Sequence, residues 1–262
     1  MKYLITERQL KLIKEQDEIL ELDFDFFNKT WDILQKFLER RGNPPYIITG
    51  DLDLYKTNIQ SLGNLQYVGG NLDLTYSEIQ SLGDLQSVGG YLNLYNTKIE
   101  SLGNLKSVGG YLDLNNTNIQ SLGNLKSVGG DLYLNNTKIE SLGNLEYVGG
   151  NLYLGNTNIE SLGNLQSVGH DLDLSGSKIE SLGNLQSVGG YLNLNNTKIE
   201  SLGNLQSVGG FLNLYDLKIK SLGNLEYVGG SLGLRNTSLS ETTTTEEIRN
   251  IPNLTIEGEI YL

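Results

Sequence analysis

From Gly50 to about Leu234 the chain repeats itself every 20 residues, and few folds accommodate a period so short and so regular. One unit reads Tyr91-Leu92-Asn93-Leu94-Tyr95-Asn96-Thr97-Lys98-Ile99-Glu100-Ser101-Leu102-Gly103-Asn104-Leu105-Lys106-Ser107-Val108-Gly109-Gly110, and the next begins at Tyr111 with no insertion. A fixed short period means stacked coils that bury their apolar sides only against neighbouring coils, which is a solenoid. Ile48-Thr49-Gly50-Asp51-Leu52-Asp53-Leu54 already follows the pattern of Val68-Gly69-Gly70-Asn71-Leu72-Asp73-Leu74. After Ser238 the register breaks into the polar run Glu241 to Arg249, and Ile256-Glu257-Gly258-Glu259-Ile260-Tyr261-Leu262 restores it. Ten coils and a closing strand are therefore expected.

Variation between units tells which way a side chain points. Leu72, Leu74, Ile79, Leu82, Leu85 and Val88 have apolar equivalents in every full coil, so they face inward. The positions between the leucines vary among Asp, Asn, Tyr, Phe and Gly, so they face outward. This is the period-2 alternation of a short strand with one buried face. Strands of successive coils are expected to pair in parallel at about 4.8 Å. A Gly-Gly pair before each strand lets the backbone turn where a Cβ would clash.

Residues 1–45 differ in kind from the rest and hold the only Trp, Trp31, with Phe24, Phe26, Phe27 and Phe37. Thr6 and Gln9 form a capping-box pattern ahead of Leu10 and Ile13 on one face of a first helix. A second helix is expected from about Phe24 to Arg41, with Phe27, Trp31, Leu34 and Leu38 at helical spacing and Gly42 and Pro44-Pro45 as its stop. Helices here serve most simply as a cap over the open apolar end of the first coil, which a stack needs to stay soluble; a partner-binding helix is the functional alternative. The division is an N-terminal helical cap over 1–45, the solenoid over 46–238, and a C-terminal loop with closing strand over 239–262.

Charge and composition narrow the function. The 262 residues carry 19 Lys+Arg against 31 Asp+Glu, a formal net charge of −12. That opposes nucleic-acid binding, which needs a basic stripe to displace counterions from phosphates. A basic protein or cationic ligand is allowed, although acidity also simply keeps a protein soluble. With no cysteine there is neither a disulfide framework nor a thiolate metal site. No signal-peptide core and no run of about 18 apolar residues occurs, so no membrane role is expected. The default expectation is a soluble cytoplasmic protein, with a virion component also compatible.

The repeats resemble leucine-rich repeat proteins. Leu72-x-Leu74-x-x-Ser77-x-Ile79 matches that family's L-x-L-x-x-N-x-L core, with Ser or Thr where Asn is usual. Thr97, Thr117, Thr137, Thr157, Ser177 and Thr197 continue the column, and Leu217 breaks it. Gly69 stands where the family has a leucine three residues before the first strand leucine, so Val68-Gly69-Gly70-x-Leu72-x-Leu74 is more similar to the glycine-marked repeats of receptor L domains and related bacterial repeats. The resemblance covers about 190 residues. It implies a mainly β, right-handed solenoid of parallel strands whose strand face binds partners, usually proteins. In that register the Thr column points inward and its hydroxyls bond neighbouring backbone groups, which opposes the ice-binding reading that outward threonine arrays would invite.

The outward strand columns are the best candidate site. They offer Tyr91, Tyr111, Tyr191 and Phe211 at the first position, Asp113, Tyr133, Tyr153 and Asp173 at the second, and Tyr95 and Tyr215 at the third. Tyrosine gives a large contact area with a polar tip and few rotors, and Asn and Asp add hydrogen bonds, a mixture suited to protein or sugar recognition. The competing reading is that these ladders only stabilise stacked strands through cross-strand pairing. The same Asp columns resemble no calcium loop, so no metal or other cofactor is expected. His170 is the only histidine and replaces the second Gly of one turn, with no nucleophile or second His beside it, so catalysis is not expected. Each Gly pair precedes a strand rather than a helix, which excludes a phosphate loop. Tyr67, Tyr147 and Tyr227 recur 80 residues apart at an otherwise Ser position, the mark of a copied four-coil block. The column from Glu140 to Glu200 reads as a solvated face, offset by Lys138, Lys178 and Lys198. The expectation is a non-enzymatic binding module for a protein partner; a glycan-binding module and a purely structural spacer are the alternatives.

Overall fold

The computed structural model describes residues 19–155 and 157–262. The helix expected around Thr6, Gln9, Leu10 and Ile13 lies outside the described residues. The chain is mainly β, with parallel strands stacked as a β-solenoid and few helices.

Each full coil contributes two short strands rather than the single one expected, on either side of the glycine pair. In one coil they are Ser107–Val108 and Leu112–Asp113. The strands before the glycines build a 12-stranded sheet, here sheet A, and those after them an 11-stranded sheet, sheet B. Both pair in parallel at a 20-residue offset, as in Ser127↔Ser107 and Leu132↔Leu152. A strand such as Ser-Val has one buried residue and shows no alternation, so nothing in the sequence marked it. Ser61↔Ser81, Ser101↔Ser121 and Ser141↔Ser161 add single bridges further round the coil.

The corner between the sheets explains the glycines. A Cβ on Gly129 would lie 2.1 Å from the carbonyl oxygen of Gly109, so only glycine lets successive coils close up there. Leu112, Leu114, Ile119, Leu122, Leu125 and Val128 and their equivalents fill the interior and are almost wholly buried. Each such leucine stabilises the stack by roughly 1.5–3 kcal/mol relative to exposure. The Thr column points inward too, but its hydrogen bonds stay within the coil: Thr117 Oγ1 donates to the Leu114 carbonyl at 2.7 Å. That is the expected bond to a neighbouring backbone group, made to the carbonyl three residues back. The Ser column makes the turn that follows, as Ser101 Oγ accepts from Gly103 N at 3.2 Å with Gly103 at φ +58°.

At the N-terminal end, β1 (Leu20–Leu22) pairs in parallel with β2 (Tyr46–Ile48), which leads into β3 (Leu52–Asp53), the first strand of sheet B. The single helix expected from Phe24 to Arg41 is instead a 3-10 turn, Phe24–Phe27, followed by α1 (Trp31–Glu39). Asn28 and Lys29 adopt φ 52° and 53° between them, a left-handed break that no helix tolerates. Phe24, Phe27, Leu34 and Leu38 nevertheless join the same core as the coils. At the other end, α2 (Thr245–Arg249) begins with a capping box between Thr244 and Glu247. The Arg249 guanidinium donates to the carbonyls of Ile256 and Gly258 at 3.1 and 2.8 Å, holding the polar insertion against the last strand of sheet A, Thr255–Ile256, and the turn after it. No described helix is long and apolar enough to cross a membrane.

Candidate interaction surface

The outward side of sheet B carries two alternating columns, and each has a structural task wherever it is Asp or Asn. At the first position, the side-chain oxygen accepts the backbone N–H of the equivalent residue one coil on: Asn71 N donates to Asp51 Oδ1 at 2.7 Å, Tyr91 N to Asn71 at 3.0 Å and Tyr191 N to Asp171 at 2.7 Å. At the second position the oxygen closes a turn in its own coil, as Asn115 N donates to Asp113 Oδ1 at 2.9 Å and Ser175 N to Asp173 Oδ1 at 3.0 Å. Asp113 and Asp173, both expected as binding residues, therefore each have one oxygen committed to the fold. Burial raises the Asp113 carboxyl above the usual range, with the Asn115 hydrogen bond opposing it.

The tyrosines replace these acceptors. Where the first column is aromatic, at Tyr91, Tyr111, Tyr191 and Phe211, the next coil's N–H loses its side-chain acceptor. In return the rings meet along the solenoid. Tyr91 and Tyr111 stack at 4.7 Å between centroids and 8° between planes; Tyr111 meets Tyr133 edge-on at 6.4 Å; Tyr133 stacks on Tyr153 at 5.3 Å. These four form one continuous run across four coils. Tyr191 stacks on Phe211 at 5.6 Å, and Phe211 meets Tyr215 and Tyr261 edge-on at 6.2 and 6.4 Å, making a second run. The Tyr215 ring also lies over Gly233, where a Cβ would come within 2.5 Å of it.

Tyr95 is separate from both runs. It meets Tyr76 at 5.5 Å, which in turn meets Tyr55 at 6.2 Å. Tyr76 and Tyr261 were not singled out from the sequence. Tyr76 occupies a left-handed position, φ 57°, that is Asn in most other coils, so its column gave the only available signal. Tyr261 sits at the second outward position of the closing strand, beyond the insertion that hides its register.

Burial first, and then the neighbouring carboxylates, set the electrostatics of the face. Tyr133 is raised to about 12, first by burial and then by its hydroxyl's 2.9 Å hydrogen bond to Asp131 Oδ2. Tyr91 and Tyr111 are also raised, chiefly by burial. The ion pairs that form among the described residues lie elsewhere: Lys98 with Glu78, Lys126 with Glu146 at 3.5 Å, Lys198 with Glu180 at 3.4 Å and Lys29 with Asp25 at 3.3 Å. His170 N donates to the Gly150 carbonyl at 3.1 Å and the side chain is exposed at the sheet corner. Among the described residues no group of three or more His, Asp or Glu side chains is placed to hold a metal ion. No protein-family model matches the chain, and none of the curated proteins compared with it matches either.

Proposed function

We propose that this chain is a non-enzymatic binding module of leucine-rich-repeat-like type that recognises a protein segment on the outward face of sheet B. The observation that carries the reading is the exchange just described. At four first-column positions an acceptor worth about 1 kcal/mol of hydrogen bonding gives way to a large half-buried ring. Ring pairing returns a similar 0.5–1.5 kcal/mol, so stability alone gives no reason to prefer tyrosine over the asparagine used in neighbouring coils. Contact area does give one, since tyrosine supplies rigid amphipathic area at low entropic cost.

A protein segment suits the geometry better than a sugar. In the stacked pairs Tyr91–Tyr111 and Tyr133–Tyr153 each ring covers one face of its partner, and Tyr111 meets Tyr133 edge-on, so the run leaves few open ring faces. Sugars pack their C–H faces on open ring faces, whereas a peptide uses edges, hydroxyls and the Asn and Asp groups between them. The test is selection from a displayed random-peptide library in parallel with a glycan array, comparing wild type with Tyr91→Ala, Tyr111→Ala, Tyr133→Ala. Peptides retained by wild type and lost by the folded variant are the expected result. Glycans retained in the same way would replace the partner class, and ligands indifferent to the three changes would overturn the reading.

A further inference from the structure

The aromatic run on sheet B is interrupted once. The first run ends at Tyr153 and the second starts at Tyr191, and the coil between presents Asp171 and Asp173 at its two outward positions. The register Tyr153↔Asp173↔Asn193 places both carboxylates one strand spacing, about 4.8 Å, from an aromatic coil on either side. The third outward position of the preceding coil is Gly155, which has no equivalent glycine in that column. A Cβ there would lie 2.9 Å from Asp173 Oδ2 and 3.4 Å from Ser175 Oγ, so its absence keeps the outer carboxylate oxygen open from that side. The Oδ1 atoms hold Tyr191 N and Ser175 N; neither aspartate joins an ion pair among the described residues.

The wider face has the same bias. Its two outward columns carry seven aspartates and no lysine or arginine from Asp51 to Gly233. Two of the protein's own cations lie beside this face, and each sits over a tyrosine. Lys56 Nζ is 4.8 Å from the Tyr55 ring centroid, and the Arg235 guanidinium carbon is 5.6 Å from that of Tyr261. The surface therefore shows twice, within the molecule, how it receives a positive charge: on a tyrosine ring. At the gap the rings are present, two carboxylates are added, and among the described residues no internal cation pairs with them.

We propose that this gap seats one arginine or lysine side chain of an extended basic protein segment, held between Tyr153 and Tyr191 with its charge on Asp171 and Asp173. This deepens the binding reading above and rests on it. The charge attracts the partner along the whole acidic face, while the gap fixes its register, since a planar guanidinium can pair with a carboxylate and lie against a ring at once.

Fluorescence anisotropy with labelled octa-arginine, against a labelled Gly-Ser octapeptide, tests it at physiological salt on the full chain. The informative variant is Asp171→Asn with Asp173→Asn. Asn already occupies the equivalent positions Asn151 and Asn193 and keeps the backbone hydrogen bonds, so the fold should survive. Glu140→Gln with Glu160→Gln makes the same charge change on the solvated edge away from sheet B. A loss of about tenfold in octa-arginine affinity for the aspartate pair, against twofold or less for the glutamate pair, is expected. Gly155→Asn, which fills the gap and leaves the charge, should weaken binding as well. Equal losses from both pairs, or wild type binding octa-arginine no better than Gly-Ser, would overturn the proposal. The two readings separate on the library peptides. If those need Tyr91, Tyr111 and Tyr133, carry no excess of Arg or Lys and ignore Asp171→Asn with Asp173→Asn, the binding face stands and the cation seat falls.

Discussion

Sheets A and B are made by the same coils, flank the same glycines and bury the same kind of apolar residue, yet their outward rows behave differently. On sheet A the outward residue is Ser in coil after coil, at Ser87, Ser107, Ser127, Ser167, Ser187 and Ser207, with Tyr67, Tyr147 and Tyr227 at every fourth. On sheet B the outward residues change from coil to coil. A parallel stack in this register imposes the same demand on every strand of one sheet, so folding alone would leave sheet B as monotonous as sheet A. What differs on sheet B is therefore where the chain's individuality lies, and it is where the aromatic runs sit.

The comparison breaks first if the two sheets are not equal as scaffolds. Leu132→Ala under sheet B should cost about 2–5 kcal/mol in denaturant unfolding, and Val128→Ala under sheet A somewhat less in proportion to its size. A sheet B substitution that costs almost nothing would mean that this sheet does not hold the stack. Ser177→Thr sharpens the inner half of the comparison. The Ser177 hydroxyl is buried with no partner among the described residues, whereas its threonine equivalents Thr157 and Thr197 reach the carbonyl three residues back. Adding the methyl group and the ordered hydroxyl should raise stability by about 1 kcal/mol, read as a rise in melting temperature.

For the outer half, Tyr91→Asn restores the acceptor for the next coil's N–H at the expense of the Tyr91–Tyr111 stack. Stability should change by less than about 1 kcal/mol while ligand binding falls. A large loss of stability would assign the ring to the fold instead. The smallest expected effect concerns alkaline pH. The folded chain holds the Tyr133 proton more tightly than an unfolded tyrosine near pH 10 does. Its contribution is complete below about pH 10 and is lost as pH rises toward 12. Melting temperatures taken between about pH 9 and pH 11.5 should decline less steeply for Tyr133→Phe than for wild type. Identical slopes would remove Tyr133 from the alkaline transition.

The solenoid and its inward columns were legible because a 20-residue period prints the same apolar pattern repeatedly, and the eye can subtract what varies. The second strand of each coil was not legible, since Ser-Val is too short to show a period. Nor was β1: Leu20-Glu21-Leu22 pairs with Tyr46 onward, at a spacing outside the 20-residue rule. On the face, the columns told which residues point outward. They could not tell that Asp113 and Asp173 close turns, that Tyr95 stands apart from the ladder, or that the rings stack in two runs with a gap, because ring contacts depend on rotamers in adjacent coils.

The 20-residue offset of the strand pairs between β3 and Gly233 also gives the solenoid a mechanical character. Neighbouring coils are zipped by backbone hydrogen bonds repeated from coil to coil, such as Gly129 N to the Val108 carbonyl, Gly130 N to the Gly110 carbonyl and Leu114 N to the Tyr133 carbonyl. Tension along the chain would therefore meet much the same barrier coil after coil instead of one barrier for the whole domain. Each coil that peels away would release roughly 60 Å of extended chain, so the force–extension trace should be a regular staircase and the domain should lengthen under load in near-equal increments.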